Sequence, residues 1–268
     1  MFKFGIYEKA LPKNNFQEQL KRARQIGYDF WEMSVDPSKI DRLFWDKESI
    51  YKMKAMCDYA ELPIYNMVLS AHRDTPLGSI DEGDYSQARN YLMKATDLAV
   101  KLGIRTIQIA GYYNSNKNKV DGSRERYVRN LKQCVDYAQR NGVMLGIENV
   151  DYDIVDGITI SQIISEVNSP YLKAYPDVGN FAANGLDEVN ELEVLKNNIV
   201  GIHFKDTKIN TFRRIDFNCG IVNFDKILSY LLSIKYEGYI GIEMWEDDKA
   251  DSLSKVSNAI KFIKNKFN

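Results

Sequence analysis

Four polar side chains lie at or near the ends of apolar segments in the second half of the chain. Glu148 and Glu243 each end a Gly-Ile-Glu run, Asp177 ends Tyr-Pro-Asp, and His203 lies in Ile-His-Phe. Three carboxylates and one neutral imidazole are ligands that Mn2+, Zn2+, Co2+ or Mg2+ accept. Without a cation, three carboxylates at one place would be destabilised by desolvation and mutual repulsion. We therefore predict that Glu148, Asp177, His203 and Glu243 bind one divalent metal ion.

The two glutamates of this set also point to acid/base catalysis. If one removes a proton from a carbon beside a metal-polarised carbonyl and the other returns a proton from the opposite face, a stereocentre is inverted through an enediolate. Return of the proton to a different carbon would give aldose–ketose isomerisation, and the local sequence leaves both reactions open. A protein that binds a sugar phosphate without turnover is a third interpretation, although binding alone needs no glutamate pair.

A plainer interpretation exists for each acidic residue taken singly. An acidic side chain at the end of a strand is often a helix cap or the partner of a lysine, and Lys205 follows His203 by two positions. The occurrence of such groups at the ends of four successive predicted strands favours the metal site.

Basic side chains near the predicted strand ends are the groups that a phosphate would need. For His72, in Leu-Ser-Ala-His-Arg, a substrate contact and a structural hydrogen bond fit the sequence equally well. Arg213 and Arg214 are each more readily explained as solvated surface charge. The basic set comprises Lys9, His72, Arg73, Lys205, Lys208, Arg213 and Arg214.

The elements that must position these groups follow from hydrophobic periodicity. Short apolar segments rich in β-branched or aromatic residues alternate with longer amphipathic stretches, such as the one containing Phe224, Ile227, Leu228 and Leu231. This alternation is typical of a parallel sheet covered by helices. The predicted strands are Lys3 to Tyr7, Phe30 to Ser34, Pro63 to Ser70, Thr106 to Gly111, Val143 to Glu148, Leu172 to Asp177, Ile199 to Phe204 and Tyr239 to Met244.

Eight strand–helix units of about 33 residues use the whole chain, which predicts one domain, residues 1–268, folded as a single (β/α)8 TIM barrel of the α/β class. Its active site would lie at the C-terminal ends of the strands. Gly27, Gly103, Gly142 and Gly238 are predicted to be left-handed helix caps before strands. An open doubly wound sheet is the rival fold, but the first strand lacks a Gly-rich dinucleotide fingerprint after it.

Composition excludes several classes of protein. Hydrophobic residues make up 44% and charged residues 27%, which is typical of a globular protein. With 36 basic and 37 acidic residues, the net charge of −1 gives no reason to bind nucleic acid or an anionic membrane. The three cysteines form no CxxC pair and no segment is long and apolar enough to span a bilayer, so we expect a cytoplasmic protein. Two histidines are too few for a multi-metal endonuclease of the related barrel class.

Local segments from the first strand to the last resemble a known family. Three of them are Gly-Ile-Tyr-Glu-Lys-Ala-Leu-Pro from Gly5, Tyr-Pro-Asp-Val-Gly-Asn from Tyr175 and His-Phe-Lys-Asp-Thr-Lys from His203. They are similar to the L-xylulose 5-phosphate (or L-ribulose 5-phosphate) 3-epimerases, called hexulose-6-phosphate isomerases in older naming, of the xylose-isomerase-like barrel superfamily. Further matches are Trp31 to Asp36, Leu69 to Arg73, Pro76 to Ser79, Ala110 to Tyr112 and Ile242 to Trp245.

The resemblance implies a cytoplasmic, metal-binding isomerase of carbohydrate metabolism that inverts C3 of a ketopentose 5-phosphate, in the catabolism of L-ascorbate or related L-sugars. Glu148 and Glu243 would be the acid/base pair as well as metal ligands. The implied partner is a small sugar phosphate, and because barrels of this superfamily often pair, a homodimer is left open. The side chains expected to bind substrate are Tyr7, Glu32, His72, Arg73, Asn180 and Lys205.

One segment departs from the family pattern. After the seventh strand the family has a turn reading Pro-Phe-Gly-Glu-Gly, whereas this chain has Asp-Phe-Asn-Cys-Gly, residues 216–220. Only the second glycine is kept, so we expect a loop of different shape beside the substrate. This difference bears on the identity of the sugar more than on the type of reaction.

Overall fold

Eight parallel strands form the centre of the protein in a computed structural model that describes residues 2–13, 15–115, 120–245 and 252–266. Neighbouring strands pair in parallel from β1 through β6, and β1 also pairs with β8, which pairs with β7. The strands are β1 Lys3–Tyr7, β2 Phe30–Val35, β3 Ile64–Leu69, β4 Thr106–Ala110, β5 Met144–Glu148, β6 Leu172–Ala174, β7 Gly201–Phe204 and β8 Tyr239–Ile242.

Isolated contacts close the ring between β6 and β7. Ala174 pairs with Ile199 and Asp177 with His203, both in parallel, and the His203 amide donates to the Pro176 carbonyl at 2.9 Å. The sheet is therefore a nearly closed barrel with helices between its strands. The prediction of a single (β/α)8 TIM barrel is confirmed.

Helices cover the outside of the barrel with their apolar faces. In α8 the predicted apolar residues Phe224, Ile227, Leu228 and Leu231 are all buried. Their spacing of three and four places them on one face, as amphipathic packing requires. Within the described residues the helices are α1 Phe16–Ile26, α2 Lys47–Ala60, α3 Glu82–Leu102, α4 Ser123–Arg140, α5 Gly157–Val167, α6 Val178–Ala183, α7 Glu188–Leu195, α8 Phe224–Ser233 and α9 Ser252–Asn265.

The predicted strand ending at Asp177 is three residues too long, because β6 ends at Ala174. Pro176 has no amide hydrogen to donate to a strand ladder, so regular pairing stops before it. The chain then turns into α6, with Asp177 as its N-cap. The turn places the Asp177 carboxylate beside the end of β7.

Three of the four predicted left-handed glycines are confirmed. Gly27, Gly103 and Gly142 have φ values of 105°, 79° and 70°. The prediction for Gly238 is wrong, because the left-handed residue after α8 is Lys235, with φ 53°. Gly238 is needed for space instead: a Cβ there would lie 2.2 Å from the hydroxyl oxygen of Tyr236.

The two ends of the barrel interior differ in chemistry. Near the N-terminal ends of the strands, the ring of Tyr65 lies 5.1 Å from that of Phe30 and 4.7 Å from that of Tyr239. These three packed rings form an apolar base. Polar groups gather at the opposite end, where Glu148 and His203 lie, as expected for the catalytic end of such a barrel.

Among the described residues, no helix has the length and apolarity that a bilayer crossing requires. All three cysteines are free thiols.

Candidate active site

The structure brings the four predicted metal ligands together. One ligand atom each from Glu148, Asp177, His203 and Glu243 can be chosen so that all lie within 4.8 Å of one another, and all four residues are buried. Ligands on opposite sides of a small divalent ion are about 4.2 Å apart, so a contraction of about 0.6 Å at most would bring these atoms to the spacing around one ion. Three hard carboxylates and one imidazole suit Mg2+, Mn2+, Co2+ or Zn2+.

Two local devices fix Asp177 at this place. Its Oδ1 accepts a hydrogen bond from the backbone amide of Asn180 at 2.8 Å, which is the N-cap hydrogen bond of α6. The side chain of Asn149 accepts the Asp177 amide at 2.7 Å and donates to its carbonyl at 3.0 Å. Asn149 thus replaces the strand partner that β6 has lost, and it keeps the second oxygen of Asp177 directed at the cluster.

Lys205 lies inside the cluster. It is the lysine partner that the plainer interpretation of these carboxylates predicts. Its Nζ lies 2.7 Å from Asp177 Oδ2 and 2.9 Å from Glu243 Oε2, and it donates to Asn180 Oδ1 at 2.8 Å. One ammonium nevertheless faces the carboxylates of Glu148, Asp177 and Glu243. When all three carboxylates are ionised and His203 is neutral, as ligands must be, their negative charge exceeds the single positive charge of the ammonium, and a divalent cation would balance the difference.

Protonation equilibria reflect the same excess of negative charge. Burial and the neighbouring Glu243 raise the pKa of Asp177 well above its usual value, although Lys205 opposes this shift. Burial opposes ionisation of Glu243 too, but Lys205 and His203 lower the pKa of its carboxyl group. The two carboxyls are therefore a coupled pair, with the proton held on the Asp177 side.

His203 has a carboxylate at each ring nitrogen. Nδ1 lies 2.6 Å from Glu148 Oε1 on the side of the cluster, and Nε2 lies 3.1 Å from Glu32 Oε2 on the far side. Although burial disfavours the charged ring, Glu32 and Glu148 raise the pKa of His203 well above its usual value. Glu32 is fully buried and sits beneath the cluster rather than in a cavity.

Gln108 is a site residue that the sequence reasoning missed. Its side-chain amide donates to Glu148 Oε2 at 2.7 Å, so both oxygens of Glu148 have a partner. The available signal was a lone amide in the middle of the otherwise apolar strand Thr-Ile-Gln-Ile-Ala, and Asn66 in β3 gives the same signal. A polar residue facing the interior of a barrel is buried, so it needs a polar partner.

A cavity of about 490 Å3 opens above the cluster, and five predicted site residues line it. Glu148 and Glu243 form its floor with Lys205. Arg73 and Asn180 lie in its walls, and the Arg73 guanidinium is 5.3 Å from the ring centre of Tyr112.

A second cavity, of about 890 Å3, adjoins the first and shares Arg73 and Trp245 with it. Its basic groups exceed its carboxylates by three, which makes it a cationic pocket. The basic residues are Lys9, Lys13, Lys39, Arg42, Arg73 and Arg214, and the acidic ones are Glu8, Asp36 and Asp74.

Two other predicted substrate contacts, Tyr7 and His72, have their polar atoms on protein partners and line neither cavity. The Tyr7 hydroxyl is 3.2 Å from the Ser34 hydroxyl. His72 Nε2 lies 3.0 Å from the carbonyl of Ala88 in α3. These contacts favour the structural interpretation of His72.

His72 makes the stability of the protein depend on pH. Burial lowers its pKa from 6.5 to about 4, against the effect of the Ala88 hydrogen bond. The neutral ring favours folding above about pH 6.5, and this contribution is lost as the pH falls towards 4. We expect the His72→Gln variant to lose about 2 kcal/mol less unfolding free energy than wild type between about pH 7.5 and 5, measured by urea denaturation of metal-free protein. If the unfolding free energies of the two proteins depended equally on pH, the lowered pKa of His72 would be contradicted.

The loop after β7 has a left-handed residue, Asn218, without a glycine at that position. Asn218, at the position of the first family glycine, has φ 70°, a conformation that asparagine tolerates better than most residues. Gly220 donates its amide to Asp206 Oδ2 at 2.9 Å, and a Cβ on it would lie 2.0 Å from Asp206 Oδ1. The Asp206 carboxylate therefore fixes the end of this loop.

Known proteins resemble this chain over nearly its whole length. It is 36% identical to the L-ribulose-5-phosphate 3-epimerase UlaE of Salmonella paratyphi A over 267 residues, which cover 97% of this chain and 93% of the relative. The D-allulose 3-epimerase of Methylomonas sp. has a similar fold, with a TM-score of 0.82 and 19% identity over 99% of this chain and 97% of that one. An L-ribulose 3-epimerase gives a TM-score of 0.81 at 17% identity, covering 99% and 94%.

These relatives agree with the expectation of a carbohydrate isomerase. The xylose isomerase-like TIM barrel family matches residues 20–266, which include all four residues of the acidic cluster. The chain belongs to the xylose isomerase-like TIM barrel family.

Proposed function

We propose that the protein is a metal-dependent 3-epimerase that interconverts L-ribulose 5-phosphate and L-xylulose 5-phosphate. The observation that carries the proposal is the pair Glu148 and Glu243. These buried glutamates come from strands three positions apart around the barrel, and both face one cavity and one predicted metal site. The 36% identity to an L-ribulose-5-phosphate 3-epimerase supports the choice of substrate.

Each glutamate acts on one face of the sugar. One carboxylate takes the proton from C3 of one epimer, and the carboxylic acid on the other side returns a proton to the opposite face of C3. A bound divalent ion would polarise the C2 carbonyl and stabilise negative charge on its oxygen. Gln108, which donates to Glu148 Oε2, orients that carboxylate for the transfer. Burial of both glutamates excludes water that would compete for the proton.

Substrate binding divides between the two cavities. In the smaller one Arg73 offers its guanidinium to the sugar hydroxyls, and Asn180 and Lys205 line the space above the predicted metal site. The larger one has the excess of positive charge that a phosphate dianion requires. Arg73 belongs to both cavities, so we assign it to the junction between sugar and phosphate. The three free thiols are compatible with a reducing cytoplasm, where we place the reaction.

Incubation with each ketopentose 5-phosphate and Mn2+ in D2O tests this function. We expect interconversion of the two epimers, with solvent deuterium at C3 of the product, followed by NMR. The unphosphorylated ketopentoses serve as matched substrates and should react with much lower kcat/KM, because they leave the cationic cavity unfilled. Deuterium at another carbon together with an aldose product would identify an aldose–ketose isomerase. Binding of the sugar phosphate without hydrogen–deuterium exchange at any carbon would indicate a protein that binds the sugar phosphate without turnover.

A further inference from the structure

A second buried network lies directly beneath His203. Glu32 of β2 is fully buried and uses both carboxylate oxygens. Its Oε2 is 3.1 Å from His203 Nε2, and its Oε1 accepts the Tyr175 hydroxyl at 2.5 Å and the Asn66 side-chain amide at 3.0 Å. Tyr175 is itself buried and its ring lies 4.8 Å from the imidazole. Glu32 therefore has two fixed donors apart from His203.

The network determines which nitrogen of His203 can serve as a ligand. Glu32 Oε1 accepts hydrogen bonds from Tyr175 and Asn66, so its other oxygen, Oε2, faces His203 Nε2 as an acceptor. When the ring is neutral, as in a metal ligand, the Nε2 position holds the remaining proton, which leaves the Nδ1 lone pair on the side of Glu148 and the acidic cluster. Because a neutral imidazole has one proton only, this is the tautomer that a metal ligand needs.

Three glycines make room for this network inside the barrel. A Cβ on Gly241 of β8 would lie 2.4 Å from Glu32 Oε2. A Cβ on Gly201 of β7 would lie 2.4 Å from a ring carbon of Tyr175. A Cβ on Gly146 of β5 would lie 2.9 Å from the Cβ of Tyr175. Three neighbouring or near-neighbouring strands thus lack a side chain where Glu32 and Tyr175 need the space. The spaces left by these glycines therefore fix the positions of the Glu32 and Tyr175 side chains.

We propose that Glu32 is a positioning residue that holds His203 in the Nε2–H tautomer with Nδ1 available to the metal ion, and that Tyr175 holds Glu32. Glu32 then acts through His203 and does not contact the sugar. This inference rests on the proposed metal-dependent function. It replaces the expectation from the sequence that Glu32 binds substrate.

Metal affinity is the first measurement. Mn2+ binding to purified full-length protein, followed by electron paramagnetic resonance of the free ion, should be about 10- to 100-fold weaker in Glu32→Gln than in wild type. Tyr175→Phe should weaken binding by about threefold, because Asn66 still holds Glu32. Tyr127→Phe is the matched control: it removes a buried hydroxyl that has no hydrogen-bond partner among the described residues, and its affinity should equal that of wild type.

The tautomer of His203 is the second measurement, and it is independent of activity. The chain has only two histidines, so protein labelled with 15N-histidine gives two imidazole patterns, and His72 serves as the internal reference. In Zn2+-loaded wild type we expect the ring proton of His203 on Nε2, with a resonance downfield because its acceptor is a carboxylate oxygen of Glu32. The resonance should move upfield in Glu32→Gln and Tyr175→Phe and stay unchanged in Tyr127→Phe.

The outcomes separate this inference from the proposed function. If wild type binds neither Mn2+ nor Zn2+, the metal-dependent function and the inference both fall. Suppose that wild type binds metal. If the Mn2+ affinity of Glu32→Gln is within about twofold of the wild-type affinity, or if His203 in the Zn2+-loaded protein has no proton on Nε2, only the inference is overturned. Should Glu32→Gln not fold, Tyr175→Phe decides the question through the same two measurements.

Discussion

Replacement of either Glu148 or Glu243 by glutamine is expected to lower kcat for epimerisation by about 10³-fold, because glutamine cannot accept or return the C3 proton. The fold should persist in both variants. Glutamine is nearly isosteric with glutamate, and its amide oxygen can still accept from Gln108 at position 148 or from Lys205 at position 243. Stopped assays with both epimers, together with circular dichroism and metal content, measure the effect.

The two variants should differ in which epimer still exchanges its C3 hydrogen. With Glu148 replaced, Glu243 can still remove and return the proton on its own face, so one epimer exchanges with solvent deuterium without inversion. With Glu243 replaced, the other epimer should do so. Opposite exchange patterns would assign each glutamate to one face of the sugar, and identical patterns would contradict a two-base mechanism.

Glu188 provides the control for these variants. It is a buried glutamate outside both cavities, and it accepts a hydrogen bond from the backbone amide of Asn223 at 3.3 Å. Glu188→Gln should retain wild-type turnover, which shows that loss of a buried negative charge alone does not stop the reaction. Full activity in Glu243→Gln would contradict its assigned role.

Removal of the metal is the second change with a large expected effect. Chelation with EDTA followed by gel filtration should reduce turnover to background, and Mn2+ should restore it. Metal should also stabilise the fold, because it balances the charges of Glu148, Asp177 and Glu243. At a free ion concentration about 100 times Kd the gain is about 2.7 kcal/mol, which raises Tm by roughly 5 to 10 °C in a chain of this size.

Asp177→Asn is the matched variant for the thermal measurement. It removes one charged ligand but keeps an oxygen that can accept the Asn180 amide at the start of α6. Its Tm should respond to Mn2+ much less than that of wild type. A chelated wild-type protein with verified low metal content that still epimerises at the full rate would show that the acidic cluster is not a catalytic metal site.

Most of the fold could be predicted because a buried parallel strand is marked by an apolar run. β1, Lys3–Tyr7, has the predicted bounds, and the other strands differ mainly at their ends. The four cluster residues could also be found, since the C-terminal ends of barrel strands meet around one opening. Their positions depend only on the backbone and on the strand order.

The remaining parts of the site depend on side-chain contacts between distant strands, which periodicity does not contain. Glu32 fits a substrate contact by its place in a family segment, but the bulge between Trp31 and Glu32 in the β2–β3 pairing and the space left by Gly241 place it beneath His203. Lys205 lies two residues after a ligand in sequence. Only the folded chain shows its Nζ between Asp177 and Glu243.

The absence of a side chain at Gly241 has a consequence for how this barrel can diverge. A methyl group there and the carboxylate of Glu32 cannot occupy the same volume, since the distance would be 2.4 Å to Oε2. Alanine at position 241 is thus compatible only with a shorter residue at position 32, although the two positions are 209 residues apart. A shorter residue at position 32 would free this volume but would remove the carboxylate that faces His203 Nε2, so the residues at the two positions are coupled. Directed evolution at position 241 would therefore need a change at position 32 first or in the same step.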